Sequence, residues 1–388
     1  MARACTLYEY LIRPNPEIQL QQSLSKSKTN THTKSVNYPI PSYIQKWTEF
    51  NAKTVKRLFN QRLQQILTTE GNFHDFSHIH PSYCKVFDED SLEALLVKSN
   101  QSILLESLEN TSQMLVLQNV SMVRGGQAQL YHCWRELARA DPEVRRNRAK
   151  VAGKWHPDWA GLVDVHGYNN ILPGDTKLSR NWKSSELSPF IGRMGQGNLR
   201  GHPEAPALWP IRQVLHYCIN SHMRYGYVIT DEELVVMRVR PNEEYNHGAT
   251  MDELHSTTWD YPFVEFQSIP WKQASTKIGL SVNLALYTLL ILAANNGLLD
   301  WEYGSLDQEK LPTTKPQLSL CDEYPSFSTS EEYSQEKDPS HDSHDRAAPA
   351  TSSSSLQSLP VHAGPSRKRH RSSPRHREEN DSHKKSKN

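Results

Sequence analysis

Residues Tyr225 to Arg240, YGYVITDEELVVMRVR, restrict the possible folds more than any other stretch. Two β-branched runs flank Asp231, Glu232 and Glu233, a pattern that predicts a β-hairpin with the acids at its turn. Just upstream, PIRQVLHYCINSHMRYG predicts a helix, with Pro210 near its first turn and Gly226 near its end. Earlier still, KWHPDWAGLVDVHG and NNILPGDTKLS read as two short extended segments joined by a Gly/Asn-rich connection. The order strand, strand, helix, strand, strand, with helices on either side, predicts an α/β (α+β) core around a mixed sheet.

The flanks set the domain boundaries. Residues 1–40 are expected to be poorly ordered, because Gln19 to Ser35 is rich in Gln, Ser, Thr, Asn and Lys. Residues 41–87 read as a helical extension. Within Pro41 to Leu67, the side chains Ile44, Trp47, Phe50, Val55, Leu58 and Leu63 recur at helical spacing. Asp88 to Leu108 predicts one or two helices, with Ser91 as N-cap. Gly279 to Gly297 is the most apolar run, but Ser281, Asn283 and Thr288 interrupt it, so a buried core helix is expected rather than a membrane span. Residues 88–304 form the expected folded domain. Residues 305–388 are expected to be disordered: acidic and Ser-rich first, then basic.

The formal net charge is +1, so nucleic-acid binding would have to come from local patches. The five cysteines are scattered, with no CxxC pair, which argues against a disulfide framework or a zinc module and fits a reducing compartment. The N-terminus lacks the apolar core of a secretory signal.

Asp175, Thr176 and Lys177 follow the turn residues Pro173 and Gly174. On a strand, Asp175 and Lys177 share a face and Thr176 points the other way. Alone, this pair reads equally as a salt bridge. With Pro157-Asp158 on the preceding strand, it offers two carboxylates and an ammonium. Phosphodiester hydrolysis needs such a set: hard oxygen ligands for a divalent metal, and a cation near the attacked phosphate. Asp164 rivals Asp158, which the preceding proline and the longer span to Asp175 favour.

Pro157-Asp158 with Asp175-Thr176-Lys177 resembles the signature of the PD-(D/E)XK nuclease superfamily. Gln213-Val-Leu-His-Tyr217 resembles the Gln-x-x-x-Tyr motif of its RecB-like branch, and i, i+4 spacing puts Gln213 and Tyr217 on one helix face. A buried polar pair that only stabilises the helix is the other reading. The block from Asp88 to Leu299 is similar to a group of fungal proteins in this superfamily. The resemblance implies a restriction-endonuclease-like core and a Mg2+ (or Mn2+) site held by Asp158 and Asp175, with Glu93 preferred over Glu106 as the upstream acid. It also implies a ligand from the Thr176 carbonyl, a Lys177 that acts on the attacking water, a Gln213 beside the metal and a Tyr217 that supports helix–sheet packing. Thr176 stands where RecB-like enzymes usually carry an aromatic residue.

Other polar residues have less specific readings. Trp182 and Lys183 suit either nucleic-acid contact or core and solvent, respectively. Arg193 and Arg200 sit in a Gly-rich loop. His216, Cys218 and His222 lack metal spacing and are assigned to packing or surface. Arg367, Lys368, Arg369 and Arg371, with Lys384, Lys385 and Lys387, form a split basic sequence that predicts nuclear import through an import receptor, or a phosphate-binding arm. The expectation is a nuclear, metal-dependent nuclease acting on nucleic acid, DNA first, with no membrane partner; the alternative is a catalytically silent nuclease fold used as a nuclear binding or scaffold protein.

Overall fold

The computed structural model describes residues 2–21, 38–75, 79–111, 120–124, 157–163, 170–192, 205–242, 262–272, 279–296, 300 and 302–310. Asp164, Arg193, Arg200 and all the basic residues proposed for import lie outside them. The chain divides into two units, 1–325 and 326–388, and the second lies wholly outside the described residues.

The N-terminus departs from expectation. Ala2–Thr6 is a strand, β1, and Leu7–Leu11 is a short helix, α1. Thr6 and Glu9 close a capping box at its start. Leu7, Tyr10 and Leu11 are fully buried, so this segment belongs to the core. Gln19–Leu20 (β2) also pairs, parallel, with a later two-residue strand at Lys85–Val86.

The expected helix over 41–67 is instead a strand, β3 (Tyr43–Lys46), and two short helices, α2 (Ala52–Arg57) and α3 (Arg62–Leu67). The open edge of a later strand, Phe263–Pro270, takes β3 in parallel, and this pairing overrides the helical spacing. Asn51 then caps α2 by accepting from the N–H groups of Lys53 and Thr54. Phe59, Asn60 and Gln61 all have positive φ and separate α2 from α3. Burial of Leu58, Phe59 and Leu63 offsets that strain. The six apolar residues read as a helix stripe are all buried nonetheless.

The remaining strands are β4 (Glu70–His74), which pairs with β1, β5 (Lys85–Val86), β6 (Val120–Arg124), β7 (Trp159–Val163), β8 (Gly174–Thr176), β9 (Tyr225–Ile229), β10 (Glu233–Arg240) and β11 (Phe263–Pro270). Six of these join β3 in the central seven-stranded mixed sheet, in the order β3-β11-β10-β9-β8-β7-β6. The pairs β6/β7, β7/β8, β9/β10 and β10/β11 are antiparallel, while β8/β9 and β11/β3 are parallel. This is an α+β fold, with helices on both faces of the sheet.

The helix α4 (Glu89–Leu96) leads through a π-helical turn, Val97–Gln101, into α5 (Ser102–Thr111). Asp88, not Ser91, is the N-cap of α4; Ser91 sits at the third helical position and returns the hydrogen bond to the Asp88 N–H. In the π-helical turn, Asn100 is fully buried and donates to Asn283 Oδ1 (2.6 Å) and Asn15 Oδ1 (3.1 Å).

Between β8 and β9 runs α6 (Trp209–Asn220), and α7 spans Val282–Asn296. Apolar nearly all round, α7 is buried, as a helix of that composition must be. Ser281, just before it, donates to the Leu11 carbonyl, and within it Thr288 donates to the Leu284 carbonyl. Among the described residues no helix is long and apolar enough to cross a membrane.

Strand alternation splits the core in two. Tyr225, Tyr227, Ile229, Leu234 and Val236 pack with α7, while Val228, Val235, Met237 and Val239 pack with α6. Gly226 lies inside β9 rather than at the end of α6. Its missing side chain lets α6 approach, since a Cβ there would come within 2.6 Å of Val214 Cγ1. The helix stops at Asn220, and His222 turns the chain with a positive φ.

The first residues assigned to a disordered tail are folded. Leu306–Gln308 makes a 3-10 turn and Leu306 is buried. Arg224 stacks on the Tyr303 ring at 3.9 Å and pairs with Glu309, which ties this segment to the sheet.

Candidate active site

Strands β7 and β8 pair antiparallel at Trp159 and Gly174, so the residues just before β7 and just after Gly174 come together. Asp158 Oδ2 accepts from the Thr176 N–H at 2.7 Å. Thr176 points its side chain the other way, accepting from Trp159 Nε1 at 2.9 Å. Asp175 and Lys177 share the opposite face, as strand periodicity requires, and Lys177 Nζ makes an ion pair with Asp175 Oδ2. The Lys177 ammonium also donates to the Thr176 carbonyl (3.0 Å), the group that the family resemblance offered as a metal ligand.

Close packing fixes this geometry. Gly174 lies over Tyr227, its parallel partner on β9, and a Cβ there would come within 2.2 Å of the ring. Only glycine fits, which locks β8 against β9 next to Asp175. Beyond Lys177, the hairpin acids hold the chain. Asp231 accepts from the Ser179 N–H and hydroxyl, Glu233 does the same for Ser184, and Glu232 pairs with Lys183. Trp182 is buried and donates to the Ala207 carbonyl, so it is a core residue.

From α6, Gln213 reaches the same place. Its Nε2 donates to Asp175 Oδ1 (2.9 Å) and to the Tyr217 hydroxyl (2.8 Å), which uses both amide hydrogens. Its Oε1 and Asp175 Oδ2 are buried without a hydrogen bond among the described residues, although Oδ2 keeps its ionic contact with Lys177. Tyr38, buried before β3, hydrogen-bonds the Tyr217 hydroxyl, and its backbone carbonyl accepts from Arg212 at 2.6 Å. Sequence periodicity gave no hint of Tyr38, which lies far from α6 along the chain.

From α4, Glu93 is buried and paired with Arg124 at the end of β6. Glu89, one turn earlier on the same face, stands 3.9 Å from Lys177 Nζ. Glu89 was overlooked in the sequence, although its spacing from Glu93 was visible there. Glu106 belongs elsewhere: it accepts from Tyr10 (2.5 Å) and contacts the His74 ring (2.7 Å).

The electrostatics follow from crowding acids inside the protein. Burial, then the Asp175 charge, raises the Asp158 carboxyl to about 7. Burial and the Asp158 charge raise Glu93 to about 7, against the pull of Arg124. Asp175 is also raised by burial, with Lys177 opposing. For Lys177, burial favours the neutral form, but Asp175, Glu89 and Asp158 outweigh it and hold the ammonium above its ordinary value. The site is therefore a charged lysine within a cluster of acids that are reluctant to ionise together.

Asp158 and Asp175 supply hard oxygen donors, and Gln213 Oε1 beside them is a buried oxygen without a hydrogen bond among the described residues, so the donor chemistry suits magnesium or manganese. Magnesium commonly takes one or two carboxylates and keeps water for the rest. Among the described residues, no group of three or more His, Cys, Asp or Glu side chains is arranged to hold a metal ion. His216 and Cys218 serve packing: burial lowers the imidazole to about 4, and its Nε2 faces Asn220 Nδ2 at 2.9 Å, while Cys218 is fully buried. In comparisons with known proteins, no family model, no curated protein and no solved structure matches this chain.

Proposed function

We propose that residues 88–304 form a metal-dependent nuclease of the PD-(D/E)XK type, with a restriction-endonuclease-like core, acting on nucleic acid, with DNA as the first substrate, in the nucleus. The observation that carries this reading is the meeting of Asp158, Asp175 and Lys177 at one spot, with Gln213 on Asp175. Asp158 and Asp175 would hold Mg2+ or Mn2+, with Glu93 or Glu89 behind them; the metal would neutralise phosphate charge and acidify a bound water.

The chain's own groups do the rest. Lys177, charged at neutral pH, attracts the phosphate and stabilises charge that builds on its oxygens. Gln213 fixes the orientation of Asp175, and its free Oε1 can accept a hydrogen bond from the attacking water. Tyr217 and Tyr38 hold Gln213 in place. The basic residues from Arg367 to Lys387 would engage an import receptor.

Purified full-length chain should cut plasmid or single-stranded DNA with Mg2+ or Mn2+, stop with EDTA, and lose cutting in Lys177→Ala. Failure to cut with either metal favours the second reading, a catalytically silent fold used for nuclear binding or as a scaffold. That reading has its own support: the Lys177 ammonium neutralises Asp175 within the protein.

A further inference from the structure

Of the four exposed large apolar side chains among the described residues, three lie on one ribbon: Leu20 (38 %), Tyr83 (42 %) and Phe87 (47 %). Leu20 is in β2, and Tyr83 and Phe87 flank its partner β5. Around β5 the exposure alternates. Tyr83, Lys85 and Phe87 face solvent, Cys84 is half-buried and Val86 is buried. Lys85 and Phe87 are alternate residues of extended chain and share a face about 7 Å apart. Tyr83 sits in the turn over residues 81–84 that leads into β5, closed by the Tyr83 N–H to the His80 carbonyl and the Lys85 N–H to the Ser82 carbonyl. Two exposed aromatics and a cation thus fall within five residues.

These residues are tied to the candidate active site through the Phe87 end of the ribbon. Phe87 directly precedes Asp88, the cap of α4, and Glu89 contacts Lys177. Arg180, three residues beyond Lys177, donates to the Phe87 carbonyl (2.6 Å) and to the Gln21 carbonyl (3.2 Å). The segment that carries Lys177 therefore holds the ribbon in place. Exposed aromatics interleaved with cations are how proteins bind unpaired nucleic-acid strands: bases stack on the rings and the cations follow the backbone. A duplex keeps its bases stacked on one another and offers the rings no free face.

We propose that Tyr83, Lys85 and Phe87 form a stacking platform for unpaired bases next to the scissile phosphate, so that the substrate is single-stranded nucleic acid or the single-stranded part of a branched one. The cleavage it would serve rests on the nuclease reading above; strand binding by the platform can be measured without it.

The test uses full-length chain, EDTA to prevent cutting, and fluorescence anisotropy with a labelled single-stranded oligonucleotide and a blunt hairpin duplex of equal length. The wild type should prefer the single strand. Phe87→Ala and Tyr83→Ala should each weaken single-strand binding about 10-fold or more, and Phe87→Trp should restore it. Leu105→Ala, at the fourth exposed apolar side chain, is the control and should bind as wild type. Because Phe87 is exposed, the alanine variant should keep the wild-type Tm, which separates lost stacking from lost folding. The proposal is overturned if Phe87→Ala binds the single strand as wild type does, if the wild type prefers the duplex or binds neither probe, or if Phe87→Trp binds as weakly as Phe87→Ala. Single-strand binding without cutting in Mg2+ or Mn2+ would remove the nuclease reading and leave the platform. Cutting that is indifferent to Phe87 and Tyr83 would do the reverse.

Discussion

Asp158 accepts the backbone N–H of Thr176 at 2.7 Å, so an acid before β7 is fastened to the residue between Asp175 and Lys177. Its position depends on the backbone, while its charge is held back by burial and by Asp175. Asp158→Asn separates the two, because an amide oxygen can still accept from Thr176. The carboxyl, raised in the fold from its ordinary value near 4 to about 7, keeps its proton in the native state over that interval. The native state then binds more protons at this group than the unfolded one, so the group's contribution to metal-free stability is greatest below pH 4 and falls as pH rises towards 7. Asp158→Asn removes that contribution, so its Tm in EDTA, taken relative to wild type, should rise between pH 4 and 7, and the variant should not cut. A relative Tm that falls over this interval would contradict it.

Lys177→Met keeps the length of the side chain and removes its charge. Cutting should drop by at least about 100-fold, the scale expected for losing a group that stabilises transition-state charge. Asp175 then loses its ionic partner and takes up a proton more readily. Circular dichroism should still report a folded chain, and cleavage near the wild-type rate would remove Lys177 from the chemistry.

Gln213→Leu strips two donated hydrogen bonds from Asp175 and Tyr217. A buried acceptor left unmatched costs about 1–3 kcal/mol, which urea denaturation can read. Cutting should fall more than metal affinity, because both carboxylates remain. Unchanged stability would show that the amide is not held as described.

Gly174→Ala drives a methyl group into the Tyr227 ring. Overpacking of this kind costs about 1–3 kcal/mol and would push β8, with Asp175, away from β9. Combined with Tyr227→Leu, the loss should be less than additive in a double-mutant cycle. Simple additivity would place the strain elsewhere.

His216 gives the opposite pH response. Burial lowers its imidazole from 6.5 to about 4, and its Nε2 faces the Asn220 amide. A base with a depressed folded pKa contributes stability above 6.5 that is lost as pH falls towards 4. His216→Gln, which still offers an acceptor to Asn220, should flatten the loss of Tm over that interval.

Much of the site was legible because it is local. Asp175 and Lys177 are two apart on a strand, and Gln213 and Tyr217 four apart on a helix, so periodicity alone pairs them. Glu89 could have been found the same way, four residues before Glu93. Tyr38 and Arg124 could not, because only tertiary packing brings them near. The hairpin and α7 were legible from β-branched runs and all-round apolarity. Burial of Ile44, Trp47 and Phe50 was also legible, but their helical spacing is equally compatible with the strand, turn and helix that form once β11 offers an open edge. In β1 and α1, the Thr6-x-x-Glu9 capping box was a readable signal that the polar run after Gln19 obscured.

The π-helical turn at Val97–Gln101 carries one surplus residue between α4 and α5. An α-helix advances about 100° per residue, so trimming that surplus would swivel α4 by roughly this angle relative to α5. Glu89 and Glu93 would then sweep away from Asp158 and Lys177 while α5 stayed seated. The bulge fixes the azimuth of the two acids, and Asn100, bonded to Asn283 and Asn15, acts as the detent that keeps the helix from unwinding to a regular repeat.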